Sequence, residues 1–271
     1  MTLIETYTPT SLCELISWPH FLHAWGMKGS VAASSEARKL LDEAVCALSH
    51  LESRGLLVRA KAMVVDAVSR GDDIWVETEF GAVCIPCLRQ QVVGSEGDVC
   101  RCLSDYVAPQ RCAHPVGNRI GIFATSVDVS AFLSGADDYQ SMLFQTLADR
   151  LAEAAAEQIH TAIYNKEWAS CEAAPRVGIR PAVGYPCLPD MSLNFEFDKL
   201  LHFADLGISL TSSGMMVPHA SVSGLIFAHP QATYFSVGAI TDEQLSDYAA
   251  RRCMSVEQMR RYVSGVMTSE S

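Results

Sequence analysis

The chain has 271 residues, of which 49% are hydrophobic and 19% charged, a composition typical of a globular protein. Its formal net charge of -11 and pI of about 5.1 argue against non-specific binding to nucleic acid or to an anionic membrane. The longest stretch without acidic or basic residues, 206–241, is rich in Ser, Thr, Gly, His and Pro and is therefore not a membrane span. The N-terminus lacks the basic and apolar regions of a signal peptide, so we expect a cytoplasmic protein.

The first part of the chain is predicted to be helical and is followed by short strands. Apolar residues at helical spacing predict a helix over about 36–52, with Ser35 as its N-cap. Three strand-like segments follow at 73–78, 82–85 and 119–126, and the first two flank a turn at Phe80–Gly81.

Ten cysteines in a chain without an export signal indicate reduced thiols. Six Cys and His residues lie close together in the sequence, namely Cys84, Cys87, Cys100, Cys102, Cys112 and His114. Their spacing does not match a zinc ribbon, and Cys84 and Cys87 flank an apolar pair. Two alternatives stay open: buried structural thiols, which the apolar context favours, and a zinc-binding structural protein.

The clearest predicted element is a helix over about 138–168, which no Gly or Pro interrupts. Apolar residues recur every four positions from Leu143 to Ile163. A second row at the same spacing carries polar and acidic side chains, namely Gln145, Asp149, Glu153 and Glu157. This row is either a solvated face or, because no basic residue follows its acids by four positions, a surface that attracts a cationic ligand or partner.

Toward the C-terminus the pattern predicts strands, a hairpin and two short helices. Strand-like segments occupy 207–210 and 222–227, and the residues from His229 to Ala232 are predicted to turn the chain into a strand at 234–237. Thr241 and Ser255 each begin a capping-box pattern that predicts a short helix. Two adjacent helices can form a DNA-binding motif, but the acidic charge balance argues against it.

The segment 179–190, IRPAVGYPCLPD, combines the features of a rigid loop and a binding site. Its three prolines exclude a helix interior or a central strand, and Gly184 allows a close approach of the backbone. Arg180 is its only basic residue, and a guanidinium binds carboxylates or phosphates through two parallel hydrogen bonds. The alternative is a structural arginine paired with an acid such as Asp190.

Several side chains together suit S-adenosylmethionine. Arg180 offers a cation for its carboxylate, and the helix acids offer negative charge for its amine. The rings of Tyr185, Tyr234 and Phe235 offer surfaces for an adenine or a sulfonium. The residues alone do not choose this ligand over others.

The chain resembles the activation (reactivation) domain of cobalamin-dependent methionine synthase over nearly its whole length. The family's R-x-x-x-G-Y motif is intact at Arg180, Gly184 and Tyr185. Eight blocks agree in order and spacing: WPHFLHAWGMKG from Trp18, GDDIWV from Gly71, LRQQ from Leu88, LSDYVAP from Leu103, DDYQSMLFQTLADRLAEAAAEQIH from Asp137, RPAVGYPCLPD from Arg180, HASVSGLIFAHPQATYFSV from His219 and DYAARRCMSVEQM from Asp247.

The resemblance implies an α+β fold, a single domain with a bent, mainly antiparallel sheet flanked by helices. We expect this domain to span residues 1–271, with an N-terminal helical segment of about 1–60 packed on it.

The resemblance also implies roles for the residues of the loop. Arg180 is expected to hold the methionine carboxylate of S-adenosylmethionine, the backbone near Ala182 to meet the ligand, and Tyr185 to face the cobalamin. Tyr234 and Phe235 match the family's aromatic contact to the cofactor.

Further positions match the family outside these contacts. Asp149 and Glu153 match helix acids that lie near the cobalamin and influence its lower-face or water ligation, so with Tyr185 they are the expected catalytic residues. Glu157 and His160 match family positions without an assigned role.

The family repairs a methyltransferase. When the synthase's cob(I)alamin oxidises to inert cob(II)alamin, the activation domain docks over the corrinoid, flavodoxin or another one-electron reductase supplies an electron, and S-adenosylmethionine donates its methyl group. The uphill reduction is drawn forward by the irreversible methyl transfer. The protein contributes positioning and electrostatics.

The chain departs from the family in two positions of the site. Ser17 stands where the family has an aspartate that binds the ligand's amine, which puts affinity for S-adenosylmethionine in question. Met191 stands where a histidine often follows the proline–acid pair.

The larger departure is the absence of an Asp-x-His-x-x-Gly cobalamin-binding signature and of zinc or folate domains. The chain by itself therefore carries no complete catalytic machinery, and a partner must carry the cobalamin. The chain is then a separate subunit of a split synthase, a helper of another corrinoid protein or an excised fragment. Met1 and the tail to Ser271 favour a stand-alone protein, which we expect to be a separate subunit of a split methionine synthase.

Two questions about partners stay open. The rival function is a non-catalytic docking module that binds a corrinoid protein without S-adenosylmethionine, an alternative that Ser17 favours. A flavodoxin is usually acidic, so reduction of a partner of this acidic chain requires either a local basic patch for docking or a different reductase. Four arginines in the predicted C-terminal helices are expected to form that patch: Arg251, Arg252, Arg260 and Arg261.

Overall fold

The fold is built on antiparallel strands. The computed structural model describes residues 1–27, 34–78, 81–92, 99–109, 118–171 and 178–266. A six-stranded sheet consists of β1 (Thr2–Tyr7), β2 (Val58–Arg70), β3 (Asp73–Thr78), β4 (Gly81–Pro86), β5 (Arg119–Val127) and β8 (Ser221–Ile226). A separate two-stranded sheet pairs β6 (Ser209–Leu210) with β7 (Met216–Val217).

The long strand β2 organises the six-stranded sheet. Along one edge its residues 58–66 pair with β5. Along the other edge, β1 lies beside 58–63 and β3 beside 67–70. The order is β4-β3-β2-β5-β8, with β1 attached to β2, and every pairing is antiparallel.

Seven helices lie around this sheet within the described residues. They are α1 (Trp18–Ala24), α2 (Ser35–Ser53), α3 (Ser130–Leu133), α4 (Asp138–Glu167), α5 (Leu193–Leu201), α6 (Asp242–Arg251) and α7 (Val256–Tyr262). None of the helices in the described part of the chain is both long and apolar enough to cross a membrane.

Strand β5 shows how the two faces of the sheet are covered. Three alternate residues of β5 belong to a core cluster that includes Leu193 and Phe197 of α5: Ile120, Ile122 and Ala124. Phe123 points to the opposite face and belongs to a cluster with Ile159 of α4. The side chains of a strand alternate between faces, so helix α4 covers one face and α5 the other. The predicted α+β domain with a mainly antiparallel sheet flanked by helices is confirmed.

Helix α4 follows its sequence pattern closely. Asp137 caps it, since its carboxylate accepts a hydrogen bond from the Gln140 backbone N–H at 2.8 Å. The predicted apolar row is buried along its length, namely Leu143, Leu147, Leu151, Ala155, Ile159 and Ile163. The helix ends at Glu167, and the buried Trp168 follows as its C-cap. This burial anchors the acidic row on a rigid element.

Two predicted features at the N-terminal side need correction, and one strand was not predicted. The N-cap of α2 is Ser34, whose hydroxyl accepts from the Ala37 backbone, and Ser35 is the first helical residue. The segment 1–60, expected to be helical, also contributes β1. Strand β2, the centre of the sheet, lies outside the predicted elements. Phe80, half of the predicted turn, lies outside the described residues.

The predicted hairpin strand at 234–237 is wrong, because that segment has no strand partner in β8. Its backbone bonds to the loop instead: the Phe235 N–H donates to Cys187 Sγ at 3.0 Å and the Val237 N–H to the Pro186 carbonyl at 2.9 Å. The capping box at Ser255 is present with Gln258. At Thr241 only half of the predicted capping box forms. The Thr241 hydroxyl caps α6, but the Gln244 side chain donates to the Arg89 carbonyl instead of returning to the N-cap.

Candidate functional site

A cavity of about 750 Å³ opens where the loop 179–190 meets helix α4. Such a volume suits a ligand of the size of a nucleoside derivative. Its walls come from α1, α4, the loop, β8 and the segment after it: His20, Arg150, Glu153, Ala156, Arg180, Pro181, Ala182, Tyr185, Pro186, Cys187, Val222, Tyr234, Phe235 and Ser236.

The loop is held against β8 like an irregular edge strand. The Val183 N–H donates to the Ser223 carbonyl at 2.9 Å, and the Leu225 N–H donates to the Pro181 carbonyl at 3.0 Å. Gly184 has a φ of +85°, and a Cβ there would lie 2.8 Å from Met191 Sδ. The predicted rigid loop is therefore fixed at both its edge and its turn.

Arg180 lies at the wall of this cavity with a side chain that is 17% exposed. Its Nη1 donates to Glu157 Oε2 at 2.9 Å and contacts His160 Nδ1 at 3.1 Å. Its guanidinium carbon lies 5.9 Å from the centre of the Phe123 ring. Its backbone N–H donates to the Tyr234 hydroxyl oxygen at 2.8 Å. Helix α4 and strand β5 thus fix the guanidinium, and Tyr234 holds the backbone of the same residue.

The alternative partner for Arg180, Asp190, is engaged elsewhere. Asp190 is buried, accepts a hydrogen bond from the Tyr248 hydroxyl at 2.9 Å, and lies 3.2 Å from Arg252 Nε. Burial and the neighbouring Asp190 raise the pKa of Tyr248 well above its usual range, so the phenol stays a donor. Asp190 is therefore not the partner of Arg180, but the alternative of an arginine paired with an acid holds, with Glu157 as that acid.

The three acids of the row on α4 each lie beside a basic side chain, contrary to the expectation that they lack one. Glu153 Oε2 accepts from Arg150 Nη1 at 2.8 Å, three residues away on the same helix. Glu157 pairs with Arg180, and Asp149 lies 3.4 Å from the exposed His219. Repulsion between unpaired acids therefore gives no argument for a cationic ligand.

Aromatic side chains stand at the mouth of the cavity. Tyr185 is 53% exposed and Tyr234 is 61% exposed, while Phe235 packs partly against the core. The Tyr185 hydroxyl lies 3.4 Å from Glu153 Oε1, and desolvation together with that carboxylate raises the pKa of Tyr185. The phenol therefore stays protonated and can donate a hydrogen bond.

The structure brings most of the predicted site residues to this cavity. Arg180, Ala182, Tyr185, Tyr234, Phe235 and Glu153 line it, whereas Gly184, Asp149 and Ser17 do not. Ser17 precedes α1, and its hydroxyl oxygen lies 2.6 Å from Nδ1 of His20, which does line the cavity. His20 follows Ser17 by three residues on the same helical side, a spacing that could have identified it.

His160 is the site residue whose contact the sequence does not reveal. It is 3% exposed in α4, and its Nε2 has no hydrogen-bond partner among the described residues. Burial, and then the positive charge of Arg180, lower the pKa of His160 from 6.5 to about 4, although Glu157 acts in the opposite direction. The imidazole is therefore neutral at physiological pH.

We expect the folded state to lose stability in mild acid because of His160. The unfolded chain binds a proton at His160 below about pH 6.5, whereas the folded chain does so only near pH 4. Stability is therefore full above the unfolded pKa and falls as the pH drops through this window, by about 2 kcal/mol between about pH 7.5 and pH 5. Urea unfolding of wild type and His160→Leu at both pH values measures the difference; equal losses in the two proteins would contradict it.

The cysteines do not form a metal cluster in the part of the chain that the structure describes. There, no group of three or more His, Cys, Asp or Glu side chains is arranged to hold an ion. Cys87 and Cys102 are buried, and their thiols donate to the backbone carbonyls of Ile85 at 3.6 Å and of Asp72 at 3.9 Å, while Cys84 is partly exposed. Cys112 and His114 lie outside the described residues.

The expected basic docking patch is not formed as predicted. Arg252 is buried, with a side chain that is 4% exposed, so it cannot contribute to a surface. Arg251 pairs with Asp73 and Asp247. Arg260 of α7 pairs with Asp242 of α6, and Arg261 pairs with Glu257 of its own helix. The local charge of each arginine is thus largely offset.

Comparison with known proteins agrees with this architecture. Residues 10–253 match the family described as vitamin B12 dependent methionine synthase, activation domain. The fold matches the crystal structure of the MetH reactivation domain bound to AdoHcy with a TM-score of 0.87 and 30% sequence identity, over 100% of this chain and 91% of that one. The chain belongs to the family of vitamin B12-dependent methionine synthase activation domains.

Proposed function

We propose that this chain reactivates a corrinoid-dependent methyltransferase partner and binds S-adenosylmethionine as the methyl donor. The observation that carries the proposal is Arg180, a partly exposed guanidinium fixed at the wall of a nucleoside-sized cavity. The similar MetH reactivation domain binds AdoHcy, which shares the adenosine and amino-acid parts of S-adenosylmethionine. We further propose that the chain acts as a separate subunit of a split methionine synthase.

Several residues of the cavity and of the loop beside it have a part in this proposal. Arg180 binds the carboxylate of the methionine part through the guanidinium atoms that face the cavity. The backbone at Ala182 and the turn at Gly184 let the ligand approach the loop closely. Tyr234 and Phe235 provide the aromatic surface for the adenine or the sulfonium.

The corrinoid would dock at the open mouth of the cavity. The fit rests on Tyr185 and Tyr234, whose exposed rings offer a flat surface to a macrocycle held by a partner. The chemistry that the corrinoid supplies when docked is acceptance of an electron and then of the methyl group at cobalt. Tyr185 and the acids Asp149 and Glu153 are the polar groups of this chain that would meet it. The electron comes from flavodoxin or another one-electron reductase.

The corrinoid would come from a cobalamin-binding protein or domain, because these 271 residues contain no Asp-x-His-x-x-Gly signature. The second candidate function is a docking module that shields a corrinoid protein without binding S-adenosylmethionine. Ser17 favours it, since a hydroxyl that already contacts His20 replaces the aspartate that binds the amine in the family.

Calorimetric titration with S-adenosylmethionine tests the proposal. We expect wild type to bind it with micromolar affinity and Arg180→Ala to bind at least tenfold more weakly, because a charge-assisted pair contributes roughly 1.5–3 kcal/mol. Arg260→Ala is the matched control, since Arg260 is also an ion-paired arginine but lies outside the cavity.

The titration also separates the two functions. If wild type fails to bind at millimolar ligand, the methyl-donor proposal is overturned and the docking module is favoured. Binding by Ser17→Asp but not by wild type would show that the serine is what disables the site. Binding that Arg180→Ala leaves unchanged would remove the assigned role of the arginine.

A further inference from the structure

Two residues of α4, Glu157 and His160, contact Arg180 and lie about one helical turn apart. Both contact the same guanidinium nitrogen, Nη1: Glu157 through Oε2 at 2.9 Å and His160 through Nδ1 at 3.1 Å. Arg180 lines the cavity, whereas Glu157 and His160 do not. Within the described residues, neither Nε nor Nη2 of Arg180 makes a hydrogen bond. The contacts on Nη1 therefore leave Nε and Nη2 available to a ligand.

The protonation of His160 follows from its contacts. An arginine has only donors, so Nδ1 of His160 must accept and the ring's proton must be on Nε2. That Nε2 is buried and has no partner among the described residues. An apolar side chain of similar size would avoid an unsatisfied buried N–H, so packing alone does not explain the imidazole. The contact with Arg180 is the feature that does.

A neutral acceptor has an electrostatic advantage at this position. Glu157 already balances the charge of Arg180. A second carboxylate in place of His160 would make the cluster negative and would repel a ligand carboxylate. The imidazole instead fixes the direction of one N–H bond without adding charge.

We infer that His160 is a positioning residue that acts through Arg180, holding the guanidinium so that it receives the amino-acid carboxylate of the ligand. The inference rests on the proposed function, since it concerns the same site. It assigns a role to a buried residue that touches neither the cavity nor the ligand. It predicts that His160 affects only ligands that carry the carboxylate.

The test compares two variants and two ligands. His160→Leu removes the acceptor, and His160→Asn restores one near the position of Nδ1 in a smaller side chain. S-Adenosylhomocysteine carries the carboxylate, whereas 5′-methylthioadenosine retains the adenosine and thioether without the amino acid. We expect His160→Leu to weaken S-adenosylhomocysteine about tenfold and 5′-methylthioadenosine less than twofold, with most of the loss recovered in His160→Asn.

A double-mutant cycle keeps the inference testable if the truncated ligand binds too weakly. In an Arg180→Ala background, His160→Leu should cause no further loss of S-adenosylhomocysteine affinity. Equal weakening of both ligands, additive losses in the cycle, or a loss in His160→Asn as large as in His160→Leu would each overturn the positioning role. Failure of wild type to bind either ligand would instead overturn the proposed function, and the inference with it.

Discussion

Replacement of Arg252 by methionine is expected to destabilise the protein by about 3–5 kcal/mol, because it leaves a buried carboxylate without its countercharge. Asp190 is 1% exposed, and the Arg252 side chain is 4% exposed. Arg252 also donates through Nη2 to the Ser192 hydroxyl at 2.9 Å. Urea denaturation of Arg252→Met against wild type measures the loss.

Two further variants show whether charge is the cause. Arg260→Met removes a surface arginine whose side chain is 45% exposed and paired with Asp242; it should cost less than about 1 kcal/mol. The double variant Arg252→Met with Asp190→Asn removes both charges and retains a partner for Tyr248, so it should be more stable than Arg252→Met alone. A loss in Arg252→Met no larger than in Arg260→Met would show that Asp190 does not depend on this arginine.

The contacts of Asp190 with Tyr248 and Arg252 are important for the site because they anchor the end of the loop. Asp190 closes the segment 179–190, and its carboxylate also accepts from the Ser192 backbone N–H at 2.8 Å. Tyr248 and Arg252 belong to the C-terminal helical region. An ion pair inside the protein thus connects the loop that carries Arg180 with α6. The arginine expected at a docking surface has a structural function instead.

Local signals in the sequence predicted the elements that carry the site. Helix α4 has an uninterrupted period and a capping aspartate, and both act within a few residues. The loop 179–190 has three prolines and a glycine, which restrict the backbone wherever they occur. The family's R-x-x-x-G-Y motif then identified Arg180 and Tyr185 as site residues.

Long-range contacts explain what the sequence could not predict. Strand β2 carries charged residues at Arg59, Lys61 and Asp66, which disturb the pattern of a central strand. Lys61 is nevertheless buried, because its Nζ donates to Asp205 Oδ2 at 2.7 Å, 144 residues away. In the same way, Glu157 and His160 meet Arg180 only because the loop 179–190 pairs with β8 and is thereby held against α4. Such partners depend on tertiary structure and leave no periodic signal.

Replacement of Gly224 by alanine is expected to damage both stability and ligand binding. Gly224 lies in β8 directly under the loop, and a Cβ there would be 2.2 Å from the Pro181 carbonyl oxygen and 2.8 Å from Ala182 Cα. Backbone atoms cannot yield as a flexible side chain does, so the loop must move away from β8. The hydrogen bonds of Val183 and Leu225 across this contact would then be lost. We expect a loss of about 2–4 kcal/mol.

The same displacement should weaken S-adenosylmethionine binding, since Arg180 immediately precedes Pro181 and needs to stay within reach of Glu157 and His160. Gly265→Ala is the matched control, because a Cβ at Gly265 meets nothing within 4 Å and its φ is not positive. Chemical denaturation and calorimetry on the two variants separate the effects. If Gly224→Ala were as stable as Gly265→Ala and bound the ligand as tightly, the loop would not depend on its close packing against β8. A destabilised variant with unchanged affinity would show instead that Arg180 holds its position through α4 alone.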